Sequence, residues 1–162
     1  MEIKKFGERD YPEVAEIYKQ GIKTGLATFQ DEVPTWSDWD RNHLKIGRLA
    51  IFDGDKMVGW AALSPVSSRC VYAGVAEVSV YVCSEFRGKG LGKKLLNELI
   101  IQSENEGLWT LQSGIFAENL MSIKLHESCG FRQIGYREKI GKKNGVWKDT
   151  IIMEKRSKIV GQ

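Results

Sequence analysis

Apolar positions along the chain recur either at every second residue or at every third and fourth, and turn residues mark the changes between the two spacings. Glu2 to Phe6 reads as a strand. Asp10 with Glu13 three places on opens a helix, Pro12 fits its first turn, and Val14, Tyr18 and Ile22 share one face. Thr35 with Asp38 starts a second helix carrying Trp36, Trp39 and Leu44, and Pro34 separates it from a lid-like loop, Thr24 to Val33. Arg48 to Phe52 and Met57 to Leu63 form a hairpin about Asp53-Gly54-Asp55, followed by a longer strand, Val75 to Val82. From Gly90 to Glu106 the period is helical, with Leu91, Leu95, Leu96, Leu99 and Ile100 on the buried side and Gly107 at the end. Trp109 to Ile115 is a strand, Asn119 to Ser128 a helix ended by Gly130, and Phe131 to Ile140 pairs with Val146 to Met153 about Asn144-Gly145.

Composition narrows the class. The 162 residues are 42% hydrophobic and 28% charged, which suits a single domain spanning 1–162 with a real core. A net charge of +3, with small basic clusters at Lys142-Lys143 and Lys155-Arg156-Ser157-Lys158, argues against a nucleic-acid partner. No basic start followed by an apolar run marks a signal peptide, and no run approaches the roughly eighteen apolar residues of a membrane span, so a cytoplasmic location without membrane contact is expected. Cys70, Cys83 and Cys129 are odd in number and far apart, so neither a disulfide framework nor a metal site is expected.

The densest chemistry lies in Arg87-Gly88-Lys89-Gly90-Leu91-Gly92, between an apolar strand and a helix. A glycine-rich loop opening a helix leaves backbone N–H groups free at the positive end of the helix dipole, where a phosphate or pyrophosphate sits well. Two nucleotide motifs fail on residues. A P-loop needs a glycine where Arg87 stands and a hydroxyl residue where Lys94 follows Lys93, and a dinucleotide fingerprint would end on Lys93 or Leu95 rather than glycine.

What remains, Arg-x-x-Gly-x-Gly, closely resembles the acetyl-CoA loop of the GNAT N-acetyltransferase superfamily. Ala117 to Phe131, with Asn119 on a helix and Gly130-Phe131 opening a strand, is similar to that family's second signature. The resemblance extends over nearly the whole chain to the phosphinothricin and methionine sulfone/sulfoximine acetyltransferases. It is carried by Ala27-Thr28-Phe29 with Glu32 and Pro34, by Arg69, Tyr72 and Glu77, by Leu125-His126-Glu127 and by Gly145-Val146-Trp147-Lys148-Asp149. Departures from the subgroup's pattern fall at Val75, where Thr is common, and at Val78, where Ser or His is often seen. His126 stands where many GNAT enzymes have Tyr. The resemblance implies an α/β (α+β) GNAT fold, one mixed and mostly antiparallel twisted sheet flanked by about four helices. It further implies acetyl-CoA as cosubstrate, a small amino-acid-like acceptor and a homodimer.

Transfer to an amine requires that a base take the ammonium proton. Glu77 is the candidate, since alternation places it on one strand face with Ser79 and Tyr81, opposite Val78, Val80 and Val82, and partial burial raises a carboxyl toward neutrality. The thioester oxygen needs a donor, and the resemblance implies a backbone N–H in Val80, Tyr81 or Val82, splayed by a local bulge. His126 suits proton donation to the leaving thiolate, and equally simple packing on the sheet or contact with a cofactor phosphate. Asn119 and Ser122 suit the pantetheine arm or a helix cap. Arg87, Lys89 and Lys93 add charge to the cradle of Gly88, Gly90, Leu91 and Gly92. For the acceptor, Arg69 suits a carboxylate or phosphinate, with Phe29, Tyr72 and Trp147 walling its side chain or packing in the core.

Overall fold

The computed structural model, which describes residues 1–162, contains strands β1 (Glu2–Lys5), β2 (Leu49–Asp53), β3 (Lys56–Pro65), β4 (Val75–Val82), β5 (Thr110–Phe116), β6 (Arg132–Lys143) and β7 (Val146–Arg156). Its helices are α1 (Tyr11–Lys23), α2 (Trp36–Asn42), α3 (Leu91–Asn105) and α4 (Leu120–Ser128). The strands join into one sheet in the order β1-β2-β3-β4-β5-β7-β6. Every neighbouring pair is antiparallel except β4 and β5. That exception shapes the molecule. The parallel register runs only through Val75↔Thr110, Ala76↔Leu111 and Glu77↔Gln112. Beyond it β4 follows β3 as far as Val82↔Gly59, while β5 follows β7 as far as Phe116↔Thr150, and the sheet opens between them.

Side-chain alternation sends the two faces to different helices. Trp60 on β3 lies 5.7 Å from Tyr18 of α1 and 5.8 Å from Trp39 of α2, ring centre to ring centre. Its neighbour Gly59 faces the other way, where a Cβ would lie 3.1 Å from Leu95 of α3. Leu95, Leu96 and Leu99 of α3 are wholly buried, as the helical period predicts. On the opposite face Phe6, Trp39, Trp60, Tyr18 and Tyr81 form a continuous aromatic cluster, with Tyr81 stacked 4.9 Å from Trp60 and tilted against Tyr18 at 4.9 Å.

Local signals work as written at most ends. Thr35 accepts the Asp38 N–H at 3.2 Å and caps α2. Asn144 and Gly145, at φ 50° and 77°, make the two-residue hairpin turn. The start of α1 differs in mechanism. Asp10 accepts from the Gly7 N–H at 3.0 Å and Glu13 from the Met57 N–H at 3.2 Å, so both carboxylates of the expected capping box serve the preceding turn and β3 instead. Arg48, expected at a strand start, is buried and points to the end of α2. Its guanidinium donates to the carbonyls of Leu44, Asp40 and His43 and pairs with the Asp40 carboxylate at 2.7 Å, capping the negative end of that helix.

Tyr81 lies so close to α1 that a Cβ at Gly21 would sit 2.6 Å from its ring. Gly21→Val is therefore expected to overpack the aromatic cluster and lower the unfolding free energy by about 1–3 kcal/mol. Lys19→Val, on the exposed side of the same helix, should change it by no more than about 0.5 kcal/mol. Urea midpoints of the two variants decide the matter, and equal midpoints would mean that the Tyr81 ring yields freely.

Candidate active site

The gap between β4 and β5 is the mouth of a cleft of about 840 Å³ that passes from the α3 side of the sheet to the α1 side. At the α3 end, Gly88 and Gly90 hold positive φ angles of 77° and 78°, a conformation that glycine adopts without strain. Open space surrounds both α-carbons. No side chain caps α3, and no acidic residue occupies its first turn. None of the backbone N–H groups from Gly88 to Lys93 donates to an acceptor within the protein, the first helical bond outside the helix's own ladder being Lys94 N–H to Gly90 O. Six neighbouring donors at a helix N-terminus, with Arg87 and Lys93 on the same wall, fit a pyrophosphate. Gly92 lets α4 approach, since a Cβ there would lie 3.2 Å from Leu125.

Glu77 stands where the strands part. Burial pushes its carboxyl above the usual 4.5, and hydrogen bonding with the Gly114 backbone and the positive field of Arg137 pull it back only partly. Ser64 on β3 is its register partner and also lines the cleft. The bulge expected near Val80 is absent: the β3–β4 register runs without a shift from Pro65↔Ala76 to Gly59↔Val82. The free edge of β4 from Val78 to Val82 arises instead from the departure of β5, which is committed to β7 along its whole length.

The segment between α1 and α2 lines the end of the cleft away from the start of α3 and is fastened at three points. Phe29 meets Phe116 edge-on at 4.7 Å and rests on Gly141, where a Cβ would be 3.1 Å from its ring. Lys143, one of a small basic cluster in the sequence, is buried and donates to Gln30 O at 2.6 Å and to the Asp31 carboxylate at 2.9 Å. Asn119 accepts the Ser122 N–H at 3.2 Å, capping α4, and donates to Leu26 O at 3.1 Å. Both ends of its amide are thus occupied within the protein.

His43 and His126 are held alike. In each, Nδ1 donates to the carbonyl four residues back, Trp39 at 2.6 Å and Ser122 at 2.7 Å, which leaves a lone pair on Nε2 in the neutral ring. Burial lowers both pKa values below the usual 6.5. His126 is buried and meets Phe131 edge-on at 5.2 Å.

The cleft brings together Phe29, Glu77, Val80, Tyr81, Val82, Arg87, Gly88, Gly90, Leu91, Gly92, Lys93, Asn119, Ser122 and His126. It does not bring in Lys89, Arg69, Tyr72 or Trp147. Lys89 lies over the Phe86 ring at 4.8 Å, Arg69 over the exposed Tyr72 ring at 5.5 Å, and Lys142 over the exposed Trp147 ring at 4.9 Å. Sequence reasoning passed over Arg137, His43, Ser64 and Gly114, all on the cleft wall. Only His43 carried a signal, as one of two histidines in the chain.

A carboxyl whose folded pKa lies above its unfolded value binds more protons in the folded state. Stability from this group is therefore full below the unfolded value and falls as pH rises through the folded one. Glu77→Gln should be more stable than the unsubstituted protein in urea at pH 7, with the difference closing as the pH is lowered toward 4.5. An equal or lower midpoint at pH 7 would mean that the Glu77 carboxylate is not held under strain by its surroundings.

Comparison with known proteins agrees with this architecture. Residues 12–131 match the model of the Acetyltransferase (GNAT) family. A phosphinothricin N-acetyltransferase from Alcaligenes faecalis is 31% identical over 154 residues, covering 90% of this chain and 77% of its own. Among solved structures, a ribosomal-protein-alanine N-acetyltransferase from Brucella melitensis superposes with a TM-score of 0.90 at 31% identity, over 97% of this chain and 100% of its own. A putative acetyltransferase from Salmonella typhimurium, solved with its cofactor acetyl-CoA, gives 0.89 at 29% identity, over 96% and 93%. A parted β4–β5 pair, a glycine-rich start to α3 and a match across most of its length together identify the chain as a member of the acetyltransferase (GNAT) family.

Proposed function

We propose that this enzyme transfers the acetyl group of acetyl-CoA to the amino group of a small amino-acid-like molecule of the phosphinothricin, methionine sulfone or methionine sulfoximine type. The observation that carries the reading is one cleft with two chemically distinct ends. Free N–H donors stand at the α3 end, and a half-buried carboxylate of raised pKa stands where β4 and β5 part. Acetyl-CoA supplies an acyl group already activated as a thioester.

The chain's own residues do the rest. Backbone N–H groups from Gly88 to Lys93, with Arg87 and Lys93, hold the pyrophosphate. The free edge of β4 at Val80 to Val82 lies along the passage between the two ends and offers backbone donors to the thioester oxygen. Glu77 takes a proton from the acceptor's ammonium, leaving a neutral nitrogen to form the new C–N bond as the C–S bond breaks; the proton the nitrogen then sheds as the amide forms leaves with the CoA thiolate, as free thiol. Its raised pKa suits it to this, since a carboxyl closer to neutrality is a stronger base than a solvated one. Phe29 and Phe116 make an apolar wall of the same cleft. The acceptor class rests on the resemblance of Ala27-Thr28-Phe29 and Glu77 to the subgroup and on the phosphinothricin N-acetyltransferase relative. The name of the Brucella melitensis structure supports a second reading, a protein amine as acceptor.

An acceptor panel separates the two. With acetyl-CoA, free thiol should be released in the presence of methionine sulfone, methionine sulfoximine or phosphinothricin, and not with spermidine or an alanine-ended peptide. Glu77→Gln should lower kcat/KM for the active acceptors by about 10²- to 10⁴-fold. Turnover of the peptide alone would transfer the assignment to a protein acceptor, and full activity in Glu77→Gln would remove Glu77 as the base.

A further inference from the structure

We infer that Arg137 reads the acid group of the acceptor, and that a strained bulge in β6 exists to aim it. The inference rests on the reading of the cleft as an amino-acid acceptor site and deepens it.

Three observations meet at this residue. The first is its position. Arg137 pairs across the sheet with Thr150, which pairs in turn with Phe116, and all three line the cleft on the acceptor side. The second is its lack of a partner. None of the chain's ion pairs involves Arg137. Its field nonetheless reaches the Glu77 carboxylate and lowers its pKa. Of the other cations, Arg69 lies outside the cleft, Arg87 and Lys93 stand at the glycine-rich start of α3, and Lys143 is tied to Gln30 and Asp31. Arg137 is thus a guanidinium without a partner in the protein, on the same cleft wall as Glu77.

The third is the backbone that follows it. Between the pairs Arg137↔Thr150 and Gly141↔Lys148, three residues of β6 face the single residue Asp149 of β7. Lys139 within this bulge has φ 47°, a left-handed conformation uncommon for a residue other than glycine. Asp149 holds it there, accepting the Lys139 N–H at 2.7 Å and the Tyr136 hydroxyl. Bulges of this kind redirect neighbouring side chains, and this one leaves Arg137 and Ile140 both on the cleft wall.

The chemistry follows from the pairing of charges. A guanidinium binds a carboxylate or phosphinate through two parallel N–H donors. With the acceptor's ammonium at Glu77 and its acid at Arg137, the site recognises a zwitterion by both ends and disfavours a polycation, which would meet an unpaired positive charge. The other titratable groups on this part of the wall are His43 at the end of α2, Tyr18 on α1 and Tyr81 on β4.

The test compares methionine sulfone with its carboxamide in the intact enzyme. Arg137→Gln should raise KM for the acid by about 10- to 100-fold, as expected for a lost charge-assisted pair. The amide should change little, and Arg137→Lys should restore part of the preference. Removing the positive charge raises the Glu77 pKa, so the acidic limb of kcat/KM should also move to higher pH in Arg137→Gln. Arg137 is exposed, and circular dichroism verifies that the variants fold. Equal losses for acid and amide would reduce Arg137 to a support for Glu77 and overturn the inference, as would an unchanged ratio of the two KM values. Failure of the underlying reading looks different: the unsubstituted enzyme would then turn over neither the acid nor the amide.

Discussion

The parting of β4 from β5 after three paired residues is the constraint on which the rest of the structure depends. Two parallel strands that stayed together would seal the sheet, and the two ends of the cleft would lie on opposite faces with no passage between them. Each strand is held away by a longer antiparallel partnership, β4 with β3 and β5 with β7. The gap is thus a product of the sheet's strongest pairings and needs no local defect. Glu77 is the last residue before the opening, which explains why it is buried enough for its pKa to rise and yet reachable from the cleft.

An opening in the middle of a sheet must be braced, and the bracing is aromatic on one side and aliphatic on the other. Tyr81, Tyr18, Trp60 and Trp39 fill the α1 side down to Gly21, where a helix backbone comes against a ring. Trp39 and Trp60 are buried with their indole N–H groups unpartnered, a cost of about 1–3 kcal/mol each. Packing of large flat surfaces outweighs that cost. Arg48 adds a second brace by tying the end of α2 to its own turn, which fixes His43 on the cleft wall.

Much of this was legible in the chain. Strand and helix spans follow from spacing, and the glycine-rich start of α3 is visible because only glycine takes positive φ at no cost next to a helix. The hairpin turn at Asn144-Gly145 reads as directly. Legibility ended where a property depends on which strands become neighbours. Arg69 and Tyr72 sit at the right spacing before Glu77, but the connection into β4 carries them away from the opening. Arg137 gave no signal because the bulge that re-aims it is a mismatch of register with β7. Lys143 read only as half of a small basic cluster, yet its ammonium is buried beneath the segment it fastens. In Asp10 and Glu13 the pattern of a cap is present while the bonds go to Gly7 and Met57. Local sequence named the residue types, and tertiary neighbours chose their partners.

The strand order carries a further consequence, for the birth of the molecule. β6 is bonded to the sheet only through β7, although β7 follows it in the chain. β1 to β4 are each joined to a strand already made or made next, so that meander and α3 can assemble as the chain emerges. The wall formed by Gly114, Thr150, Ile152 and Arg137 has to wait for the last strand. During synthesis, therefore, the end of the cleft at the glycine-rich start of α3 takes shape first, and the opposite end is completed only when β7 slides between its two partners.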